Sequence, residues 1–221
     1  MNATPTAAGK TPKTPKTPKT RQDVLKDFRT DQIVEAAWQV IGRLGYAEAS
    51  IDRIAEQAGV ARSTVYVYFG SKEAILDACF SRGRTQLGER IRSAFQAAEG
   101  LERRLAAFLG ATLAYVDENR EFFMAVLALH GIEAVFAGQE EVESEELASL
   151  RDETQALLQG VFEEGIRGGV FQDDIARLGD WLGTLLYGAL VRRAYQRHPL
   201  AAAEEARALA SLFLHGVGKR D

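Results

Sequence analysis

The stretch ARSTVYVYFGSKEAIL, residues 61–76, decides how this chain is read. Most of the sequence is rich in Ala, Leu, Arg and Glu and reads as helix. Here every residue from Ser63 to Phe69 is β-branched, aromatic or hydroxylated, which is the composition of a strand. The upstream flank resolves the conflict. Ser50 is a good N-cap, Asp52 suits the first turn, Ile51, Ile54, Ala55 and Ala58 make one apolar face, and Gly59 ends the helix. Only Gly59, Val60 and Ala61 then separate that helix from the quoted stretch, and two short helices across a glycine turn form a helix-turn-helix pattern. Residues 62–69 are therefore expected to be a helix with Val65 and Phe69 turned inward and Val60 completing a small core. Arg62, Ser63, Thr64, Tyr66 and Tyr68 are expected to face outward. Propensity would place Ala, Glu or Lys on such a face. Arginine, hydroxyls and tyrosines suit phosphate oxygens, base edges and thymine methyls instead.

Reading outward from this unit, Ile33, Ala36, Ala37, Val40, Ile41 and Leu44 recur at helical spacing, with Thr30 as the expected N-cap and Gly45 as the stop. Ser71 caps a fourth helix expected over 72–98. Further helices are expected over 101–117, 120–137, 143–167 (closed by Gly168 and Gly169), 173–196 (halted by Pro199) and 200–216. The acidic run at 139–146 reads as a solvated helix start. Residues 1–20 hold four of the seven lysines and four of the five prolines, with the unit TPK repeated at 11–13, 14–16 and 17–19. Such a segment has little to bury, so residues 1–22 are expected to be a disordered basic arm, either a solubilising tail or a cationic aid to DNA binding.

Charge divides the chain in the same sense. Residues 1–92 carry 15 Lys and Arg against 10 Asp and Glu, a net of +5, and residues 93–221 carry 12 against 21, a net of −9. A basic front and an acidic rear place a polyanionic partner at the N-terminal end. The single cysteine, Cys79, excludes an intramolecular disulfide and points to a reducing, cytoplasmic setting. No apolar run reaches the roughly 18 residues of a membrane span, so no membrane partner is expected.

The segment from about residue 26 to 77 resembles the DNA-binding domain of TetR-family transcriptional regulators. The resemblance rests on the Gly45–Tyr46 step, Ser50, the IA…AGV pattern (Ile54, Ala55, Ala58, Gly59, Val60), Tyr66, and Phe69 with Ser71, Lys72 and Glu73. One departure is Tyr68, where many members carry histidine. The resemblance implies an all-α protein: a three-helix DNA-binding domain over 23–72, then a helical ligand-binding and dimerisation domain over 73–221. It implies a homodimer on a pseudo-palindromic operator, released by a small-molecule inducer. Ser50, Arg62, Ser63, Thr64, Tyr66, Tyr68 and Lys72 are the expected DNA contacts. An interaction protein that keeps this fold without specific DNA binding is the alternative.

The C-terminal domain offers weaker signals. By the resemblance a ligand cavity lies among the fourth to seventh helices, with Phe95, Phe122, Phe123, Leu127, His130 and Phe162 as candidate lining; each of these equally suits a core. The helix over 173–196 is apolar around much of its circumference and must be buried. Leu178, Leu182, Leu185 and Ala189, with Leu209 and Phe213, are the expected dimer interface, a monomer core being the other reading. Gly83 and Gly88 sit inside a helical run, as a bendable segment or as close packing. No catalytic cluster emerges, and no cofactor or metal is expected. His130, His198 and His215 are scattered singly, and Glu163 and Glu164 point to different helix faces.

Overall fold

A computed structural model describes residues 20–130, 145–196 and 199–217, and all nine elements in them are helices. They are α1 (Arg21–Leu44), α2 (Ile51–Ala58), α3 (Arg62–Tyr68), α4 (Lys72–Gln96), α5 (Leu101–Glu118), α6 (Arg120–His130), α7 (Glu145–Arg167), α8 (Ile175–Tyr195) and α9 (Ala202–Val217). The TPK repeats lie outside the described residues, as does the acidic run apart from Glu145 and Glu146 at the start of α7.

α1 begins nine residues before the expected cap at Thr30. Thr20 is the N-cap: its Oγ accepts from the Asp23 amide at 3.2 Å, and the Asp23 carboxylate accepts from the Thr20 amide at 2.9 Å. That reciprocal capping box starts the helix without help from burial. The first buried side chain comes only at Ile33. Apolar periodicity therefore reports where α1 packs and not where it starts.

Two cores form. The first joins α1, α2, α3 and the front of α4, with Ile33, Ala37, Val40, Ile41, Ile54, Val65, Ile75 and Cys79 fully buried, and it takes in Phe122 and Val126 from α6. The second joins the rear of α4 to α5, α7, α8 and α9 around Leu105, Leu109, Leu113, Leu178, Leu190, Ala210 and Phe213. α4 runs unbroken from one core into the other. α3 has seven residues, well short of the roughly 12–15 that an isolated helix needs. It is held by Val65 and Phe69, whose burial contributes about 1.5–3 kcal/mol each.

Polar ties close the second lobe. Arg193 of α8 is buried between Asp117 of α5 and Glu205 of α9, pairing with both carboxylates, and it donates to the Leu200 carbonyl at 2.9 Å. Arg120 donates to the carbonyls of Arg193 (2.8 Å), Ala194 (2.7 Å) and Gln196 (3.1 Å), which satisfies the open C-terminus of α8.

This interior takes up four of the six residues expected at the dimer face. Leu178, Leu182, Ala189 and Phe213 are buried within the single chain, and Leu185 and Leu209 are half-buried against the same core. The surface of α8 that remains outside is the opposite one, with Trp181 49% and Tyr195 74% exposed. Leu212 of α9 is 56% exposed.

Among the described residues no helix is long and apolar enough to cross a membrane, and no group of three or more His, Cys, Asp or Glu could hold a metal ion.

Candidate functional site

The turn between α2 and α3 is set by Gly59, whose φ of 65° and ψ of 34° are left-handed. Its amide bonds back to the carbonyls of Ala55 and Glu56, closing α2 so that α3 can depart at once. Gln32 of α1 donates to the Ala58 carbonyl at 2.6 Å and fixes that corner against α1.

With Val65 and Phe69 inward, the solvent side of α3 carries Arg62, Ser63, Tyr66 and Val67, while Thr64 is half-buried at its edge. Tyr68 is not on this side: it is half-buried and packs against the first core. Val67, which the sequence reading left unassigned, takes the outward place and is 80% exposed. The misplacement is one step of 100° on a short helix whose two anchors do not say which flanking residue clears the core.

Arg62 is pre-arranged. Its Nη1 donates to both carboxylate oxygens of Asp52 in α2, at 3.0 and 2.9 Å, and its Nη2 donates to the Tyr66 hydroxyl at 3.3 Å. The guanidinium also lies over the Tyr66 ring, 5.6 Å from its centre. The hydrogen bond to Tyr66, then the Asp52 charge, raise its pKa further, so Arg62 is a permanent cation on this face.

Ser50 and Ser71 act as caps, their hydroxyls accepting from the Arg53 amide at 3.3 Å and the Ala74 amide at 3.1 Å. Lys72, an expected phosphate contact, has its ammonium engaged within the protein. Its Nζ donates to the carbonyls of Tyr46 (2.8 Å) and Ala49 (2.9 Å) and sits 4.0 Å from the Tyr46 ring centre. The ammonium thus pins the loop between α1 and α2 to the start of α4. Tyr46 in turn donates to Glu73 at 3.1 Å; burial, then that carboxylate, push its pKa up to about 12.

A second site lies where the two cores meet. A cavity of about 160 Å³ is walled chiefly by apolar side chains from both: Trp38 of α1, Phe80, Gly83 and Leu87 of α4, Tyr115 and Val116 of α5, Phe122 and Phe123 of α6, and Leu190 of α8. Trp38 stacks on Phe122 with ring centres 3.8 Å apart and planes 9° apart. Burial raises the Tyr115 hydroxyl to about 12, so it stays neutral there. Of the candidate lining, Phe122 and Phe123 take part. Phe162 instead packs edge-on to Phe171 and against Phe213 in the second core, and Phe95 is buried beside α7. Leu127 is half-buried away from the cavity wall, and the side chain of His130 lies outside the described residues. Trp38 was missed, although its position off the apolar stripe of α1 is a legible sign that it packs against something else.

These features define an all-helical, two-lobed protein with a helix-turn-helix unit at one end and a half-open, largely apolar cavity behind it. The helix-turn-helix unit is a tetR-family domain: the family model for bacterial regulatory proteins of the tetR family matches residues 33–79. The chain is 45% identical over 60 residues to the fatty acid metabolism regulator protein of Bacillus subtilis, covering 27% of this chain and 31% of that one. It spans less than two thirds of the length of several curated relatives that it matches. Over 85% of this chain and 99% of the other, it superposes on the TetR-family transcriptional regulator PfmR of Thermus thermophilus with a TM-score of 0.62 at 28% identity. The FadR regulator of Bacillus subtilis, solved in complex with stearoyl-CoA, shares the fold at a TM-score of 0.61 and 22% identity, over 85% of this chain and 98% of that one.

Proposed function

We propose that this chain is a homodimeric, ligand-responsive transcriptional regulator, acting as a repressor that a small-molecule inducer carrying an apolar chain releases from its operator. The carrying observation is the solvent side of α3. A helix seated on a tetR-family core presents Arg62, Ser63, Tyr66 and Val67 where helix formers would be cheaper. Such a face supports base and phosphate contacts and no catalysis. The bacterial character of the matched family favours a cytoplasmic setting for such a role.

The cavity supports the response. Its 160 Å³ is smaller than the roughly 300–1,000 Å³ of typical small-molecule sites, so a ligand of ordinary size that is taken fully inside displaces its walls. One wall is Trp38, on the helix that carries the recognition unit. Ligand binding and DNA binding then compete through α1, and the effect is limited to the ligand's preference for one arrangement over the other. The apolar lining, and the acyl thioester bound by the FadR neighbour, favour long-chain acyl compounds as effectors.

Selection of the purified protein against random duplexes tests the DNA role and should return a pseudo-palindrome. Titrating acyl-CoA thioesters into that complex should then release the DNA. Failure to select any duplex would refute the regulator reading. Selection without release by any acyl compound would refute the effector class alone.

A further inference from the structure

We propose that Val67 reads sequence directly, its isopropyl group packing against the C5-methyl of a thymine in the major groove. This rests on the DNA-binding role above. Among the described residues no other large hydrophobic side chain is so exposed. Valine is also a poor choice for a solvated helix face, being β-branched and slightly unfavourable in a helix. Its neighbours on that face are polar: Ser63 precedes it by four residues, and Tyr66 adjoins Arg62, which Asp52 and Tyr66 already hold in place. When such a face enters the major groove, Val67 is carried in with them.

The groove then identifies the partner. Its floor offers carbonyl and ring-nitrogen acceptors, amino donors and one apolar group, the thymine methyl. A valine set against any of the polar groups would strip water from them and return no hydrogen bond. Against the methyl it loses nothing and buries apolar surface on both sides. Arg62 and Tyr66 supply the polar contacts, so Val67 is the residue that separates thymine from cytosine at its step.

The experiment uses the whole 221-residue chain and the duplex selected as above, with deoxyuridine replacing thymidine one position at a time to delete only the C5-methyl. For the parent, one thymine in each half-site should matter, at about three- to fivefold in affinity per half-site, the worth of one buried methyl-sized group. Val67→Ala should lose a similar factor on the thymine duplex and become indifferent to deoxyuridine at that position. Val67→Ile should retain the dependence. Val67→Ala should fold normally, since the side chain is exposed and alanine favours helix; far-UV circular dichroism checks this. A parent indifferent to every deoxyuridine overturns the proposal while leaving the DNA-binding role intact. So does a Val67→Ala variant that still discriminates at the same thymine. Failure to select any duplex removes the DNA-binding role and the proposal together.

Discussion

At position 72 a lysine turns back into the protein. Its ammonium spans two carbonyls of the loop between α1 and α2 and caps the Tyr46 ring. Lys72→Met keeps the stem but leaves both half-buried acceptors without that donor. The variant should lose about 2–3 kcal/mol of stability in urea unfolding and weaken binding to all duplexes alike. A variant as stable as the parent would restore the outward, phosphate-binding role that its place at a helix start suggests. Tyr66 behaves differently, being 45% exposed and bonded only within α3. Tyr66→Ala should leave the unfolding midpoint unchanged and cost about 1–3 kcal/mol of operator affinity, read by titration of labelled duplex. The identities of these residues were legible from the sequence; their directions were not. Val67 and Tyr68 differ by one helical step, and only the packed core shows that Tyr68 belongs to it.

Among the elements, α2, α3 and α4 were the most legible because local chemistry sets their ends. Ser50 and Ser71 cap, and Gly59 supplies a left-handed turn. α1 was misread at its start because nothing before Ile33 is buried and the cue was a Thr–Asp box alone. Within α4, Gly83 lies at the cavity wall. A Cβ there would lie 3.1 Å from the Tyr115 hydroxyl and 3.2 Å from the Trp38 ring. The glycine makes room for the cavity wall, and the close-packing account fits better than a hinge. Gly83→Ala gains up to about 1 kcal/mol of helix propensity, against an overpacking cost of about 1–3 kcal/mol. Net destabilisation and a shifted Trp38 emission are expected, the latter measured in a Trp181→Phe background that leaves Trp38 as the sole tryptophan. Unchanged emission would separate Gly83 from the Trp38 wall.

For the whole molecule, the all-α architecture was legible because helical periodicity and capping recur throughout. The sides on which helices meet were not. α8 is apolar around much of its circumference, so its interior and exterior residues look alike until Arg193 is seen buried with Asp117 and Glu205. The side left outside, with Trp181 and Tyr195 on α8 and Leu212 on α9, is the surface that a second copy would cover in the proposed dimer. Trp181→Glu should therefore shift the protein in sedimentation velocity from dimer to a 24.2 kDa monomer and reduce its DNA complex to a single half-site. A Trp181→Glu protein that stays dimeric would move the interface elsewhere.

The continuity of α4 carries a mechanical consequence. Its 25 residues make a rod about 37 Å long, joined to the recognition unit at Lys72 and to the second core at Phe95. A tilt of about 5° at the far end sweeps the near end through about 3 Å over that length. Two such rods in a dimer, swinging apart, would change the separation of the reading heads by about 6 Å, against a helical repeat of about 34 Å. The walls around Trp38 need yield only slightly, because the lever multiplies a small angle into a displacement of about 3 Å at the recognition unit.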